Sequence, residues 1–461
     1  MDNNIEQTVD SFKKQLNAYQ KNIQNLEFVE EIGRVVQVLG TLIEGNISGA
    51  KLGDLCELII PEKPDEPMLA EVVGFTKDSA LLSALSALDG VASGTIIRPL
   101  RKAHNIEIGP HLFGVVLDGF GRPLFKAPAA VGMELSEEDN WEPFTTFVIK
   151  EALDATKKPR VTEPLYTGIR VVDTLLTLGR GQRVGVFAGA GCGKTTLLAA
   201  IARGADVDVI VFGLIGERGR ELREFLEHEL DEDLVRKSIL VCATSDKTSM
   251  ERSRAAFTAT AIAEAFRDKG KKVLLLIDSL TRFARAQREI GLAAGEPPAK
   301  GGFPPSVYTM LPRLIERAGN SEEGSMTAIY TVLVEGDNII DPIGEEARSL
   351  LDGHIVLARK LAEQGHFPAV DVLASISRTM VNVIDEDHRT IATRFRSLMA
   401  RYKELELLIR LGEFKEGNDD LSDKAVALNG QIIEFLRQDT RYPALYEESY
   451  TQISELISQS Y

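Results

Sequence analysis

Near the start of the chain, apolar side chains at Ile5, Val9, Phe12, Leu16, Tyr19, Ile23 and Leu26 recur in alternating steps of four and three. That spacing is the seam of an amphipathic helix of heptad type. Such a stripe can pack on its own domain, dock on a partner helix or lie on a membrane surface, and Glu6 and Asp10 dilute Lys13, Lys14 and Lys21 for the last of these. From about residue 31 to 100 the pattern becomes short β-branched runs, RVVQV, ELII, EVVGF, ALLSAL and TIIRP, broken by Gly40, Gly45, Gly49, Gly53 and Gly90. Evenly punctuated strands of this kind predict a small closed β-barrel. From about residue 180 to 360, wholly apolar runs (RVGVFA, DVIVFGLI, SILVCAT, KVLLLID, TAIYTVLV, HIVLAR) alternate with helical stretches such as GRELREFLEHEL and SMERSRAAFTATAIAEAFRDKG. Strands that are apolar on both faces need cover on both sides, so a parallel sheet between helices is predicted, with its chemistry at the carboxyl ends of the strands. After about residue 385 only helical patterns remain, in HRTIATRFRSLMARYKELELLIRL, DKAVALNGQIIEFLRQ and PALYEESYTQISELIS.

Charge removes several functions from consideration. The 461 residues carry a net charge of −16, so the protein as a whole repels nucleic-acid backbones and anionic lipid. A small barrel is also a common nucleic-acid reader, but this one sets five basic residues, Arg34, Lys51, Lys63, Lys77 and Arg98, against ten acidic ones between Glu31 and Asp89. It has no string of aromatic residues for base stacking, and a structural barrel is expected. Cys56, Cys192 and Cys242 form no CxxC pair, and the six histidines have no metal-ligand spacing. A reducing compartment and no structural metal follow. No apolar run approaches the roughly 18 residues of a membrane span, and a cytoplasmic protein is expected.

The chemistry concentrates at strand ends. AGAGCGKT, Ala188 to Thr195, follows RVGVFA and opens the helical TTLLAAIAR. It departs from GxxxxGK[ST] at its first position only, where the chain merely leaves the strand. Backbone amides of Gly189, Ala190, Gly191, Cys192 and Gly193, with Lys194, Thr195 and Thr196 in the first helical turn, form a phosphate cradle. Lys194 would neutralise β- and γ-phosphate oxygens and Thr195 would ligate Mg²⁺ of a bound ATP. Asp278 ends the apolar run KVLLLID, where a carboxylate needs a cation or donor. Alone it also reads as a helix cap; beside a phosphate loop it reads as the Walker-B acid of the magnesium shell. Glu217, in IGERGRE after a third strand, either orients the attacking water or decorates a helix N-terminus, and spacing does not choose between them. Arg378 in SISR reads from periodicity as a surface arginine, although an arginine supplied by a neighbouring subunit can stabilise transferring phosphoryl charge.

These residues sit within longer strings: LDGFGRPL, TGIRVVDTLLTLGRGQRVGVFAGAGCGKTTLL, GLIGERGRELREF, IDSLTRFARAQREIGLAAGEPPAKGGFPPSVYTMLPRLIERAG, SLLDGHIVLARKLAEQGHFPAVDVLASISR and ELLIRLGEFKEGND. Over about residues 30 to 440 the chain resembles the ATPases of type III protein secretion, shared by flagellar export and the virulence injectisome and similar to the catalytic β subunit of rotary ATP synthases. Alanine at position 188 is usual in that family. The resemblance implies an α/β, RecA-like P-loop core (101–384), preceded by an N-terminal amphipathic helix (1–28) and a β-barrel (29–100) and followed by a helical C-terminal domain (385–461). It makes Glu217 the water-activating carboxylate, Glu221 a support of the magnesium shell, Arg218 a neighbour of the γ-phosphate and Arg378 the arginine finger acting between subunits. Phe367 would pack on adenine, with Phe414 as the other wall. The family further implies a homohexamer around a pore entered by the loop 291–305, a central stalk protein, and a coiled-coil stator or regulator at the N-terminal helix. It also implies chaperone–substrate complexes and peripheral contact with an inner-membrane export gate. No DELSEED-type lever occurs where this chain has LGEFKEGNDDLSDKA, which argues against a synthase β subunit. An RNA translocase of the terminator class and a non-enzymatic ATP-binding scaffold are the other rivals. GCGK in the loop leans toward injectisome members.

Overall fold

The computed structural model describes residues 31–86, 88–133, 141–334, 341–417 and 419–459. The heptad stripe of Ile5 to Leu26 lies outside the described residues.

Alternating apolar positions close the first segment into a barrel of β1 (Gly33–Leu39), β2 (Leu42–Asn46), β3 (Asp54–Ile60), β4 (Lys63–Phe75), β5 (Ala80–Ala84) and β6 (Ile96–Ala103), ordered β1-β2-β5-β4-β3-β6. Ile43, Cys56, Leu58, Val72, Leu82 and Ile97 fill it, all fully buried. The last strand continues past the expected boundary at residue 100. Gly45, expected as a break, instead lies within β2, where a Cβ would stand 2.2 Å from Ile97 Cδ1. That glycine makes room for the barrel filling and marks no turn.

The six predicted apolar runs and three further strands form one nine-stranded sheet: β7 (Val115–Leu117), β8 (Pro123–Lys126), β9 (Arg183–Ala188), β10 (Val209–Ile215), β11 (Ser238–Ala243), β12 (Lys272–Asp278), β13 (Ser325–Leu333), β14 (Gly353–Leu357) and β15 (Ile376–Ser377), of which β7, β8 and β15 lie outside those runs. Their order is β15-β14-β9-β13-β12-β10-β11-β7-β8, parallel except at the two outermost strands. Neighbouring side chains of β10 point into different cores: Ile210 and Phe212 into one, Val209 and Val211 into the other. This double cover is what made the strands apolar throughout. The first core takes in α1 (Lys194–Gly204) and side chains of the C-terminal helices, and the second takes in α2 (Ser249–Arg267), α3 (Leu280–Ala293) and α4 (Pro305–Ile315). The stretch 291–305 is less of a loop than expected, because its first residues end α3 and Lys300–Gly302 form a 3-10 turn.

The C-terminal domain consists of α5 (Glu386–Leu411), α6 (Asp420–Leu436) and α7 (Tyr446–Ser458). Asp385 and Asp419 cap the first two by accepting from the amides of His388 and Ser422, and Gly412, at φ 71°, ends α5 in the left-handed conformation.

Beneath the second core lies a buried ion pair. Arg317 donates through Nε to Glu264 Oε1 at 2.8 Å and through Nη1 to Val148 O at 2.8 Å, while Arg267 Nη1 donates to Arg317 O at 3.1 Å. Arg317 is wholly buried and Glu264 nearly so. Removing one partner leaves a charge stranded away from water, so Glu264→Ala is expected to lower unfolding stability by about 3–5 kcal/mol. Urea titration of that variant checks it, and a loss below about 1 kcal/mol would mean the pair is dispensable.

Candidate functional site

At the carboxyl end of β9 the chain enters the glycine loop. Gly191 and Gly193 both have φ 79°, a conformation L side chains rarely adopt, and this turns the loop so that α1 begins at Lys194. Cys192 is buried beneath the loop, whereas Ala190, Thr195 and Thr196 are exposed at its mouth. The amides of the first turn and the positive end of α1 therefore face an open space suited to an anion.

Lys194 reaches across β13 to the tip of β12. Its Nζ lies 2.5 Å from Asp278 Oδ1 and 3.5 Å from Glu217 Oε1. Asp278 pairs in register with Leu214 of β10, so the Glu217 that follows β10 arrives at the same place. Three strand ends thus bring one lysine and two carboxylates together. Asp278, 1% exposed, also accepts from Thr331 Oγ1 at 2.7 Å, and Arg282 Nη1 stands 3.3 Å from Glu217 Oε2 while bonding Gly216 O.

Thr331 and Arg282 were not anticipated. The signal for Thr331 was a polar side chain inside the apolar run TAIYTVLV. For Arg282 it was the Ser279 cap, which accepts from the Arg282 amide and puts Arg282 in the first turn of α3, above the strand tips.

Burial raises the Glu217 carboxyl to about 7, with further contributions from its hydrogen bond to Glu221 and from the nearby charge of Asp278; Lys194 and Arg282 oppose the shift. Exposed Glu221 is held below the usual range chiefly by the same hydrogen bond, so Glu217 is the member of the pair that keeps the proton. Glu217 Oε1 is buried with the charge of Lys194 3.5 Å away but no hydrogen bond made to it. Such an orphaned acceptor suits a site completed by a ligand or its water. Among the described residues no three acidic, histidine or cysteine side chains could hold a metal ion by themselves. The donors present, Thr195, Asp278 and Glu221, are hard oxygens, which fit a magnesium ion arriving with the phosphates that complete its shell.

A cavity of about 260 Å³ opens beside the loop, lined by Cys192, Gly193, Leu197, Leu357, Phe367 and Thr440 among others. The Phe367 ring stands over the loop, 3.5 Å from where a Cβ on Gly193 would lie. Phe414, expected as the second wall, is not among the lining residues. α5 ends just before it, and the chain returns to the cavity only after α6, where Thr440 lines it.

Arg218 is exposed, with Nη1 3.4 Å from Glu221 Oε1. It borders a second, open cavity of about 280 Å³ with Ser245, Arg252, Arg282 and Arg285.

Arg378 does not join the cluster. It follows only the two-residue edge strand β15 rather than a long strand, and its amide donates to Asp352 O at 2.9 Å, just before β14 begins. Ser377 pairs with Gly353, the first residue of β14. Arg378 is therefore exposed at the amino end of the parallel strands, whereas Lys194 follows the carboxyl end of β9; at about 3.3 Å per residue those ends are separated by the length of a strand.

Comparison with known proteins covers most of the chain. Residues 35–101 match the beta-barrel domain of the ATP synthase alpha/beta family, residues 168–377 match that family's nucleotide-binding domain, and residues 384–455 match the T3SS EscN ATPase C-terminal domain. The chain is 58% identical to the type 3 secretion system ATPase of Pseudomonas savastanoi pv. phaseolicola, covering 96% of this chain and 97% of that protein. It is 43% identical to the flagellum-specific ATP synthase of Bacillus subtilis, covering 94% and 97%. Among solved structures, the assembled ATPase EscN of the enteropathogenic E. coli type III secretion system superposes with a TM-score of 0.84 at 44% identity, covering 92% of this chain and all of that one. With relatives this similar over nearly its full length, and a phosphate loop, two carboxylates and a lysine gathered at the carboxyl end of one sheet, the chain belongs to the type 3 secretion system ATPase family and is an ATP-hydrolysing enzyme.

Proposed function

We propose that this protein hydrolyses Mg-ATP as a homohexameric ring at the cytoplasmic face of an inner-membrane export apparatus, and uses the cycle to release chaperones from secretion substrates and unfold them. Identity of 58% to a secretion-system ATPase against 43% to a flagellum-specific one favours an injectisome-type machine. Assembly is supported by the relative solved as an assembled ATPase and, in a second structure 43% identical to this chain, in complex with its central stalk EscO. In this reading an equivalent stalk occupies the pore beside the loop 291–305. A coiled-coil stator meets the heptad segment of residues 5–26, and no nucleic acid is bound. Among the described residues no helix is long and apolar enough to cross a membrane, in keeping with peripheral contact at the export gate.

The backbone from Gly189 to Gly193 and the first turn of α1 hold the β-phosphate, and Lys194 exchanges its carboxylate partners for β- and γ-phosphate oxygens. Thr195, Asp278 and Glu221 would hold magnesium, which supplies neutralisation of phosphate charge. Glu217, released from Lys194, orients a water and takes its proton as the oxygen attacks the γ-phosphorus and the bond to the ADP oxygen breaks. Arg378 of the adjacent subunit, with Arg218 nearby, meets the negative charge that develops. Phe367 stacks on the base through its apolar face.

The observation that carries this reading is the convergence of Lys194, Asp278 and Glu217 from three strand ends, with Arg378 at the opposite end of its own sheet. If the pocket is completed by a neighbour, turnover per subunit rises with protein concentration and levels off as rings fill. Turnover per subunit that stays constant on dilution to monomers would refute assembly-dependent catalysis, and stimulation by RNA would favour a translocase instead.

A further inference from the structure

The cavity beside the phosphate loop is closed in part by a segment from the C-terminal domain. Beyond α6 the chain crosses back over the nucleotide-binding domain and brings Thr440 into the cavity wall. Three hydrogen bonds hold this crossing, two between backbones and one from a side chain: the Gln438 amide donates to Phe367 O at 2.9 Å, the Ala444 amide donates to Gly168 O at 2.8 Å, and Arg203 Nη1 of α1 donates to Thr440 O at 3.4 Å. The seat is tight, because Gly168 has φ 71° and a Cβ there would lie 2.7 Å from Pro443 Cβ.

Gln438 adds a fourth tie with its side chain. Nε2 donates to Gly168 O at 2.8 Å and to Tyr442 O at 3.0 Å, while Oε1 accepts from the Arg170 amide at 2.8 Å. Only a carboxamide of this length offers both donor and strong acceptor: an ionised glutamate lacks the donors, and a methionine of similar length has no donor and only a weakly accepting sulfur. One residue thus joins the carbonyl of Phe367, the start of the nucleotide-binding domain and the segment that carries Thr440.

We propose that Gln438 is a positioning residue for the nucleotide base: it holds Thr440 and Phe367 in one geometry, so that the base pocket and the C-terminal domain move as a unit. The inference rests on reading this cavity as the base pocket. Its consequence is selective, since the phosphates are held elsewhere, by the glycine loop and Lys194.

The test compares Mg-ATP with inorganic tripolyphosphate, which has no base, by titration calorimetry on the full chain carrying Gln438→Met, with Gln438→Glu as a second variant should the first fail to fold. The expected result is ATP binding about tenfold weaker, equivalent to about 1.4 kcal/mol, with tripolyphosphate binding unchanged. Unchanged ATP affinity overturns the proposal, and so does an equal loss for both ligands, which would make Gln438 merely structural. Lys194→Ala distinguishes a failure of this proposal from a failure of the phosphate site: it should weaken both ligands, and if it weakens neither, the assignment of the phosphate loop fails.

Discussion

Glu217→Gln is expected to lower kcat by about 10²- to 10⁴-fold while leaving Mg-ATP binding within a few-fold of the parent, because it removes the acceptor of the water proton and little else. The substitution is nearly isosteric and neutral, the charge state that burial already favours at this position, so the fold should tolerate it. The pH dependence follows with a definite sign. With the carboxyl raised to about 7, Glu217 is protonated and unable to accept below that pH, so kcat/KM of the free enzyme falls tenfold per unit as pH drops through about 7 and levels off above it. The glutamine variant should lack that limb. Stopped assays of phosphate release from pH 5.5 to 8.5 check both statements. Near-parental turnover by Glu217→Gln, or the same limb surviving in it, would remove Glu217 from the role of base.

Arg378→Ala should reduce kcat by about 10³- to 10⁵-fold with nucleotide binding intact, the scale of loss when an arginine that meets developing phosphoryl charge is withdrawn. Arg378 stands at the amino end of the strands, a strand's length from the loop at their carboxyl end, so under the proposed function it acts on the nucleotide of another copy. Mixing distinguishes this from a structural defect. Rings assembled from equal amounts of Arg378→Ala and Glu217→Gln subunits contain about a quarter of interfaces with both groups intact, as a head-to-tail interface requires, and should regain activity that neither variant has alone. Mixed rings that stay as inactive as the separate variants would contradict catalysis between subunits.

Much of this was legible one residue after another. The phosphate loop is a local object, a strand, a run of glycines and a helix start contiguous in the chain, and its geometry needs only that Gly191 and Gly193 adopt positive φ. Asp278 was legible because a carboxylate at the end of an apolar strand demands a partner. Glycine spacing was a weaker guide: Gly40 and Gly53 turn the chain, but Gly45 sits inside a strand, and only the barrel filling by Ile97 tells them apart. Phe414 was assigned to the base pocket by its resemblance to an aromatic position, and the path of the chain after α6 brings Thr440 there instead.

The order of apolar runs, the phosphate loop and the helical end were determined by the sequence itself, because each depends on periodicity or on neighbours a few residues away. Which groups meet was decided by tertiary structure alone. Lys194 and Asp278 are 84 positions apart, and Thr331 reaches Asp278 from the strand between theirs. The raised Glu217 carboxyl is a product of desolvation, a property of the packed site with no counterpart in the unfolded chain. The two ends of the sheet likewise exist only once strands lie side by side, and it is their separation that puts Arg378 a strand's length from its own chain's phosphate loop.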